Sequence, residues 1–312
     1  MFSILIPVYN FNVVRLVGEV HHQALNSGAK FEIIVVDDGS DIHYKEQNRI
    51  ISKLQDIRYE ELSENIGRSR IRNKLAGMAA FPCLLFLDCD TQIERPDYIS
   101  VYLSYCNKEG VVCGGRTYRN TKPENADQYL RWKYGRKREQ KPAVIRNQKP
   151  WNSFMTNNFA ISKNVFDQVS FDENIDKYGH EDTFFGIELK RKGIPVLHID
   201  NPLIHIGLET SSEFLDKTQE GVENLNQLMH RNKEYENEMV SSVRLLTHFN
   251  RLKKTGTMTM YWLFFAGLRK QLVFNLTGHY PCLWLFDMYK LGFLIEKERT
   301  YVKNCRNSQS LP

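Results

Sequence analysis

Three apolar runs of strand length, each ending in polar or acidic residues, constrain this chain more than any other feature. Phe2-Ser3-Ile4-Leu5-Ile6 leads through Pro7 into Val8-Tyr9-Asn10. Phe31-Glu32-Ile33-Ile34-Val35-Val36 leads into Asp37-Asp38-Gly39-Ser40, and Leu84-Leu85-Phe86-Leu87 into Asp88-Cys89-Asp90-Thr91. Continuous apolar runs rich in β-branched residues are what strands buried on both faces require. Between them lie segments of helical length. Residues 12–27 carry Val13, Leu16, Val17 and Val20 at helical spacing, residues 44–54 form the next helix, and Asn65 to Asn73 opens another through Ala80. Strands alternating with helices predict a parallel sheet with crossover helices, an α/β fold. Carboxyl ends of neighbouring parallel strands share one rim, so Asn10, Asp37, Asp38, Asp88 and Asp90 should converge on one cleft.

The chemistry of that cleft follows from the residue types. Two carboxylates spaced as Asp88 and Asp90 point the same way only if the backbone stays extended. Hard oxygen ligands at a strand end suit magnesium or manganese, above all when shared with a substrate's phosphates. No Gly-x-Gly-x-x-Gly or Gly-x-x-x-x-Gly-Lys-Ser/Thr is present, which argues against dinucleotide oxidoreductases and P-loop enzymes. The net charge of +5 suits a polyanionic ligand or an acidic membrane surface. Six cysteines lie scattered without a Cys-x-x-Cys pair, which predicts reduced thiols and no zinc module. Met1 runs directly into an apolar strand with no basic n-region or cleavage site, so a cytoplasmic location is expected.

Pro7-Val8-Tyr9-Asn10, Val36-Asp37-Asp38-Gly39-Ser40, Asn65-x-Gly67 through Arg72-Asn73, and Leu87-Asp88-Cys89-Asp90, in that order, resemble the family-2 glycosyltransferases of GT-A fold. The resemblance implies an inverting transfer from a nucleotide-sugar, commonly a UDP-sugar, with divalent manganese or magnesium. It places Pro7, Tyr9 and Asn10 along the nucleoside pocket and Asp37 and Asp38 on base and ribose. It sets Asn65 and one or both of Arg68 and Arg72 beside base or phosphates, Asp88 near the ribose and Asp90 on the metal. Carboxylates against a uracil imide make physical sense, because the imide N–H only donates and a carboxylate only accepts.

The strand over 111–116 ends in Gly114 and Gly115, which permit close backbone approach to a donor sugar or simply make a turn. Residues 129–149 collect Arg131, Lys133, Arg136, Lys137, Arg138, Lys141, Arg146 and Lys149 against Glu139, with Tyr129, Trp132 and Tyr134 interleaved. Such a run is a solvated face or a loop closing over a diphosphate. Nucleic acid is not expected as a partner. Trp151 through Ser162 reads as a polar loop entering a strand, with Asn157 and Asn158 as sugar-contacting candidates. Tyr178-Gly179-His180-Glu181-Asp182 then opens a helix, where acidic residues also suit the dipole. By the same resemblance Asp182 is the base that deprotonates the acceptor hydroxyl, Glu181 and His180 contact the acceptor, and His205 completes the metal shell with Asp90 and Asp88.

The resemblance covers roughly two thirds of the chain. The expected organisation is a GT-A catalytic domain over 1–210, divided at 116 into nucleotide-sugar and acceptor halves, then a helical extension over 211–312. In that extension Tyr261 to Leu268, Leu283 to Phe286 and Leu291 to Ile295 are apolar, with Arg269, Lys270, Lys290, Lys297 and Arg299 nearby. These runs fall short of the ~20 residues needed to span a bilayer. They suit a membrane interface, the inner face of the cell membrane included, or packing on the catalytic domain or in a homo-oligomer. The expected function is sugar transfer to a glycan or lipid-linked acceptor in surface polysaccharide synthesis. The alternatives are a silent nucleotide- or sugar-binding scaffold on the same fold, and a sugar nucleotidyltransferase, which should carry a Gly-rich basic loop where Pro7 to Asn10 stands.

Overall fold

The computed structural model describes residues 1–106, 108–175 and 177–309. In chain order the strands are β1 (Phe2–Val8), β2 (Phe31–Asp37), β3 (Ile57–Glu61), β4 (Cys83–Leu87), β5 (Thr91–Gln92), β6 (Val111–Cys113), β7 (Arg116–Thr117), β8 (Asn158–Ser162), β9 (Val196–His198) and β10 (Leu203–His205). The helices are α1 (Val14–Asn26), α2 (Ile42–Asn48), α3 (Arg68–Met78), α4 (Tyr98–Leu103), α5 (Tyr129–Tyr134), α6 (Ala143–Arg146), α7 (Lys163–Val169), α8 (Glu181–Arg191), α9 (Ser211–Arg231), α10 (Glu236–Ser242), α11 (Arg244–Thr255), α12 (Met258–Leu276) and α13 (Leu283–Gln309). By contact the chain divides into two compact units. One comprises residues 1–119, 138–176 and 181–207, the other 120–137, 177–180 and 208–312.

The first unit is built on a seven-stranded sheet in the order β3-β2-β1-β4-β8-β6-β9. The three apolar runs are its central strands β2, β1 and β4, mutually parallel, with Val8 in register with Asp37 and Leu5 with Phe86. Almost every residue of these strands is buried, as a sheet covered on both faces requires. Val13, Leu16, Val17 and Val20 seal one face with α1, and Ile71, Leu75 and Ala76 of α3 seal the other. The sheet is mostly but not wholly parallel: β8 runs antiparallel between β4 and β6, setting Asn158 opposite Leu87. The strand expected over 111–116 is two strands. Gly114 and Gly115 turn the chain out of the large sheet after β6, and β7 joins a small sheet in the order β5-β10-β7. The helix expected over 44–54 gives way after Asn48 to a 3-10 turn over Arg49–Lys53 that buries Ile51.

The cysteines are not all reduced. Cys83, opening β4, is bonded to Cys106, with Cα atoms 5.5 Å apart. The two are brought together by the fold and not by a sequence spacing that could reveal them.

The second unit is helical. The polar stretch expected as helix over 213–250 is three helices, α9 to α11. α9 opens on a capping box in which Thr210 Oγ1 accepts from the Glu213 amide and Glu213 accepts from the Thr210 amide. Asn226 and His230 of α9 meet the buried Glu298 of α13 at 3.0 and 2.7 Å. α12 packs so closely on α13 that a Cβ at Gly292 would fall 2.2 Å from the Phe265 ring. Among the described residues no helix is long and apolar enough to cross a membrane.

Candidate active site

The acidic pair after β4 divides into two environments. Asp88 accepts from Arg72 of α3 at 2.7 Å, while its other oxygen faces Arg116 of β7 at 3.4 Å. Arg116 also reaches Glu139 at 3.5 Å, and the Tyr118 hydroxyl donates to the same carboxylate. Burial works against the Arg116 cation, but Tyr118, Glu139, Asp90 and Asp88 outweigh it and push its pKa well up. Both oxygens of Asp88, expected from the resemblance as a metal ligand, face guanidinium groups. It is the counter-ion of a buried ionic chain running from Arg72 to Glu139.

Asp90 stands apart from that chain. Antiparallel pairing of β5 and β10 sets His205 opposite Thr91, and the Ile206 amide donates to the Asp90 carbonyl. This brings His205 Nδ1 to 3.3 Å from Asp90 Oδ2. Gly207 makes room, since a Cβ there would lie 2.7 Å from the Asp90 Cβ. The Tyr118 ring stands edge-on to His205 at 5.4 Å. Burial would raise the Asp90 pKa, but His205, Arg116 and Arg68 lower it, so the carboxylate stays ionised. Asp90 Oδ1 and both ring nitrogens of His205 are buried without a hydrogen-bond partner among the described residues. Orphaned polar atoms of this kind need a partner. One carboxylate and one imidazole fit magnesium or manganese that takes its remaining ligands from substrate oxygens and water. No group of three His, Cys, Asp or Glu gathers at metal distance among the described residues.

At the end of β2, Asp38 accepts from the amides of Ile66 and Gly67 at 2.8 and 3.2 Å. It ties the loop before α3 to the end of β2, and both its oxygens are engaged there. Burial raises its pKa against those two bonds. Asp37 accepts from the Ser40 amide at 2.8 Å but leaves Oδ2 without a partner. Gly39 is required between them. Its φ is +74°, and a Cβ would lie 2.5 Å from the backbone of Glu64. Asn10 adopts a left-handed φ of 48° and accepts from the Asp41 amide, lacing the first loop to the second. Pro7 closes into β1, whereas Tyr9 and Asn65 are exposed on the rim.

The pair at the start of α8 divides in the same way. Glu181, buried, meets Arg68 at 2.5 Å, and Arg68 with Arg72 holds its pKa down against burial. Its carboxylate, expected to contact the acceptor, pairs with Arg68. Asp182 accepts from the Thr183 amide at 2.6 Å, while burial and the charge of Glu181 push its pKa up to about 6. A carboxylate poised near neutrality is what a general base needs. His180, just before the helix, has a left-handed φ of 73°.

The other sugar-contacting candidates separate sharply. Asn158 is not available to a ligand. Its amide donates to the carbonyls of Gly115 and Asn201 at 2.9 Å each, and its oxygen accepts from Tyr98 and Tyr102 at 2.6 Å each. The glycine pair serves the same lock. A Cβ on Gly114 would strike Asn201, Tyr102 and Asn158, and one on Gly115 would strike Arg146. Asn157 beside it is buried with both side-chain polar atoms unpartnered, and its carbonyl accepts from the Asp88 amide. The basic run over 129–149 is in part structural: buried Arg146 donates to the carbonyls of Cys113, Gly114 and Ile199 and to His198. Burial lowers the His198 pKa to about 4, keeping it neutral. Sequence reasoning missed Arg116, Tyr118 and Glu139. A charged residue directly after a glycine pair was the one available hint.

A family model described as "Glycosyl transferase family 2" matches residues 3–169. The chain belongs to glycosyl transferase family 2. It is 27% identical to validoxylamine A glucosyltransferase of Streptomyces hygroscopicus subsp. limoneus, with 63% of this chain and 49% of that protein covered. It is 25% identical to the uncharacterized glycosyltransferase YfnE of Bacillus subtilis (strain 168), covering 62% and 61%. The chain thus spans less than two thirds of the curated relatives it matches. Among solved structures, the mannosyltransferase PcManGT from Pyrobaculum calidifontis in complex with GDP-Man and Mn2+ superposes with a TM-score of 0.56 at 13% identity, covering 96% and 86%. S. aureus TarS 1-349 in complex with UDP-GlcNAc gives 0.51 at 15%, covering 98% and 92%. These likenesses establish the GT-A fold of this family-2 chain.

Proposed function

We propose that this family-2 chain transfers a sugar, with inversion, from a nucleotide-sugar to the hydroxyl of a glycan or lipid-linked acceptor. The observation that carries the reading is the buried Asp90–His205 pair, three of whose polar atoms lack a partner at the rim where β4 ends. Asp90 and His205 would hold a magnesium or manganese ion. Such an ion offsets the charge that develops as a nucleoside diphosphate departs.

The remaining roles fall to this chain's own groups. Arg68 and Arg116 bring positive charge to the Asp88–Asp90 end of the site. Asp37 keeps an acceptor oxygen without a partner, which favours a base with an imide N–H and makes UDP the nucleotide of first choice. Asp182 takes the proton of the acceptor hydroxyl as its oxygen bonds to the anomeric carbon. The bond from that carbon to the phosphate oxygen breaks on the opposite face, which inverts the configuration. The account extends to surface polysaccharide synthesis, where a lipid-linked acceptor is the natural substrate class.

The test is turnover of a panel of UDP-sugars and GDP-mannose, followed by NMR of the anomeric signal. The expected result is release of a nucleoside diphosphate and an inverted product with one donor class, abolished in Asp182→Asn. Binding of a donor that is never cleaved, with Asp182→Asn binding equally well, would establish the silent scaffold instead.

A further inference from the structure

The helical unit carries an apolar surface that the protein leaves uncovered. α12 is apolar all round, a composition that normally belongs to a helix buried on every side. Its inner face is buried: Phe265, Leu272 and Leu276 are nearly inaccessible, and Phe265 seats against Gly292 of α13. At 100° per residue, Met260, Leu263, Phe264, Gly267, Lys270, Gln271 and Phe274 fall on one arc opposite that seam. All seven are exposed, with Met260 at 69%, Leu263 at 60%, Phe264 at 53% and Phe274 at 82%. Trp284, in the first turn of α13, is 67% exposed. Isolated exposed apolar residues are ordinary, but a continuous helical face of this kind marks an interaction site.

Charge identifies what covers it. From residue 239 to residue 286 there is no Asp or Glu, while Arg244, Arg251, Lys253, Lys254, Arg269 and Lys270 supply six cations. Arg269 is partly answered by Glu296 of α13 at 3.3 Å and Lys253 by Glu298 at 3.9 Å, which leaves Arg244, Arg251, Lys254 and Lys270 to carry the basic character. Lys270 lies on the exposed arc itself, where a long basic side chain extends to the polar boundary of an apolar layer. A second copy is the wrong partner for this face. A two-fold interface sets a patch against itself, so Arg244, Arg251, Lys254 and Lys270 would meet their own copies with no acid between residues 239 and 286 to answer them. An acyl layer beneath anionic headgroups satisfies both the apolar arc and the cationic flank, and an exposed tryptophan suits that boundary.

We propose that the outer face of α12, with Lys254 in the helix turn that precedes it and Trp284 in the helix turn that follows it, docks this protein in the plane of an anionic lipid bilayer. The chain then lies on the membrane without crossing it, whatever sugar or nucleotide it uses. The test is flotation of the full chain with vesicles of phosphatidylcholine and phosphatidylglycerol in equal parts, against phosphatidylcholine alone. Expected is binding to the mixed vesicles that falls about tenfold without phosphatidylglycerol or in about 0.5 M salt. Phe264→Asp with Phe274→Asp, both at exposed positions, should abolish flotation at an unchanged circular dichroism spectrum. Lys254→Glu with Lys270→Glu keeps every apolar residue of the arc and should weaken flotation and flatten its salt dependence. Brominated acyl chains should quench tryptophan emission in the parent and much less in Trp284→Phe. Absence of flotation with either vesicle, or equal flotation of the Phe264→Asp/Phe274→Asp protein, would overturn the proposal. A dimer in sedimentation that the same pair of substitutions converts to monomer, without vesicle binding, would assign the face to a second copy.

Discussion

Asp88 and Asp90 are two residues apart in sequence, yet the fold treats them in opposite ways. Asp88 is saturated by Arg72 and Arg116, while Asp90 keeps one oxygen without a partner and turns the other to His205, whose Nε2 is unpartnered as well. The acidic pair at α8 shows the same division. Glu181 is paired with Arg68, and Asp182 is pushed up to about 6 by burial and by its neighbour. Asp38 is held by two backbone amides, whereas Asp37 leaves one oxygen open. In each pair one carboxylate has its charge or both its oxygens engaged by the protein, and the other keeps an unpartnered oxygen or a raised pKa. Adjacent acids therefore predict a site, but not which member performs the chemistry.

The largest expected effect breaks the comparison at its reactive side. Asp182→Asn should lower kcat by about 10³, within the usual range for removing a general base, with little change in donor KM. The same substitution should raise Tm at pH 7. The folded-state pKa of Asp182 lies above its ordinary value, so its ionised form opposes folding at neutral pH, and the neutral amide removes that penalty. A loss of both activity and stability would contradict the assignment.

The next effect concerns the organising side. Asp88→Asn leaves Arg72 and Arg116 buried without their shared carboxylate and should cost about 3–5 kcal/mol in urea unfolding. Asp90→Asn should also cost stability at neutral pH, since it removes the charge that His205, Arg116 and Arg68 hold ionised, but less than Asp88→Asn, because it leaves Arg72 and Arg116 their shared carboxylate. Equal losses would erase the distinction between the two. A smaller effect sharpens it. As pH falls below about 6, kcat/KM should drop about tenfold per unit as Asp182 gains its proton. Over the same range the stabilising effect of protonating Asp182 grows, so lost activity must not coincide with lost structure.

Much of this was legible in the sequence because it rests on local pattern. β1, β2 and β4 are continuous apolar runs, and parallel pairing dictates that their acidic ends share a rim. What remained hidden depends on contacts between distant residues. Arg116 meets Asp88 from 28 positions away, across a glycine turn that sends the chain into a second sheet. Asn158 reads like its neighbour Asn157, and only the convergence of Tyr98, Tyr102, Gly115 and Asn201 turns it into a structural lock. Arg146 reads as one charge among many in a basic run, yet it is buried against four carbonyls. The Cys83–Cys106 bond likewise follows from tertiary proximity. His205 was found through the family resemblance, and the physical reason for its position, pairing of β10 with β5, came only with the fold.

The central claim is that Asp90 and His205, and not Asp88, form the protein's share of a metal–diphosphate site. Calorimetric titration of UDP, with and without manganese, into the parent protein, Asp90→Asn and His205→Ala tests it most directly. The account predicts binding that manganese strengthens in the parent, and binding that manganese no longer affects in either variant. GDP is run in parallel so that a different nucleotide preference is not mistaken for failure. Equal manganese dependence in the parent and in both variants would contradict the account and return the metal to another part of the rim.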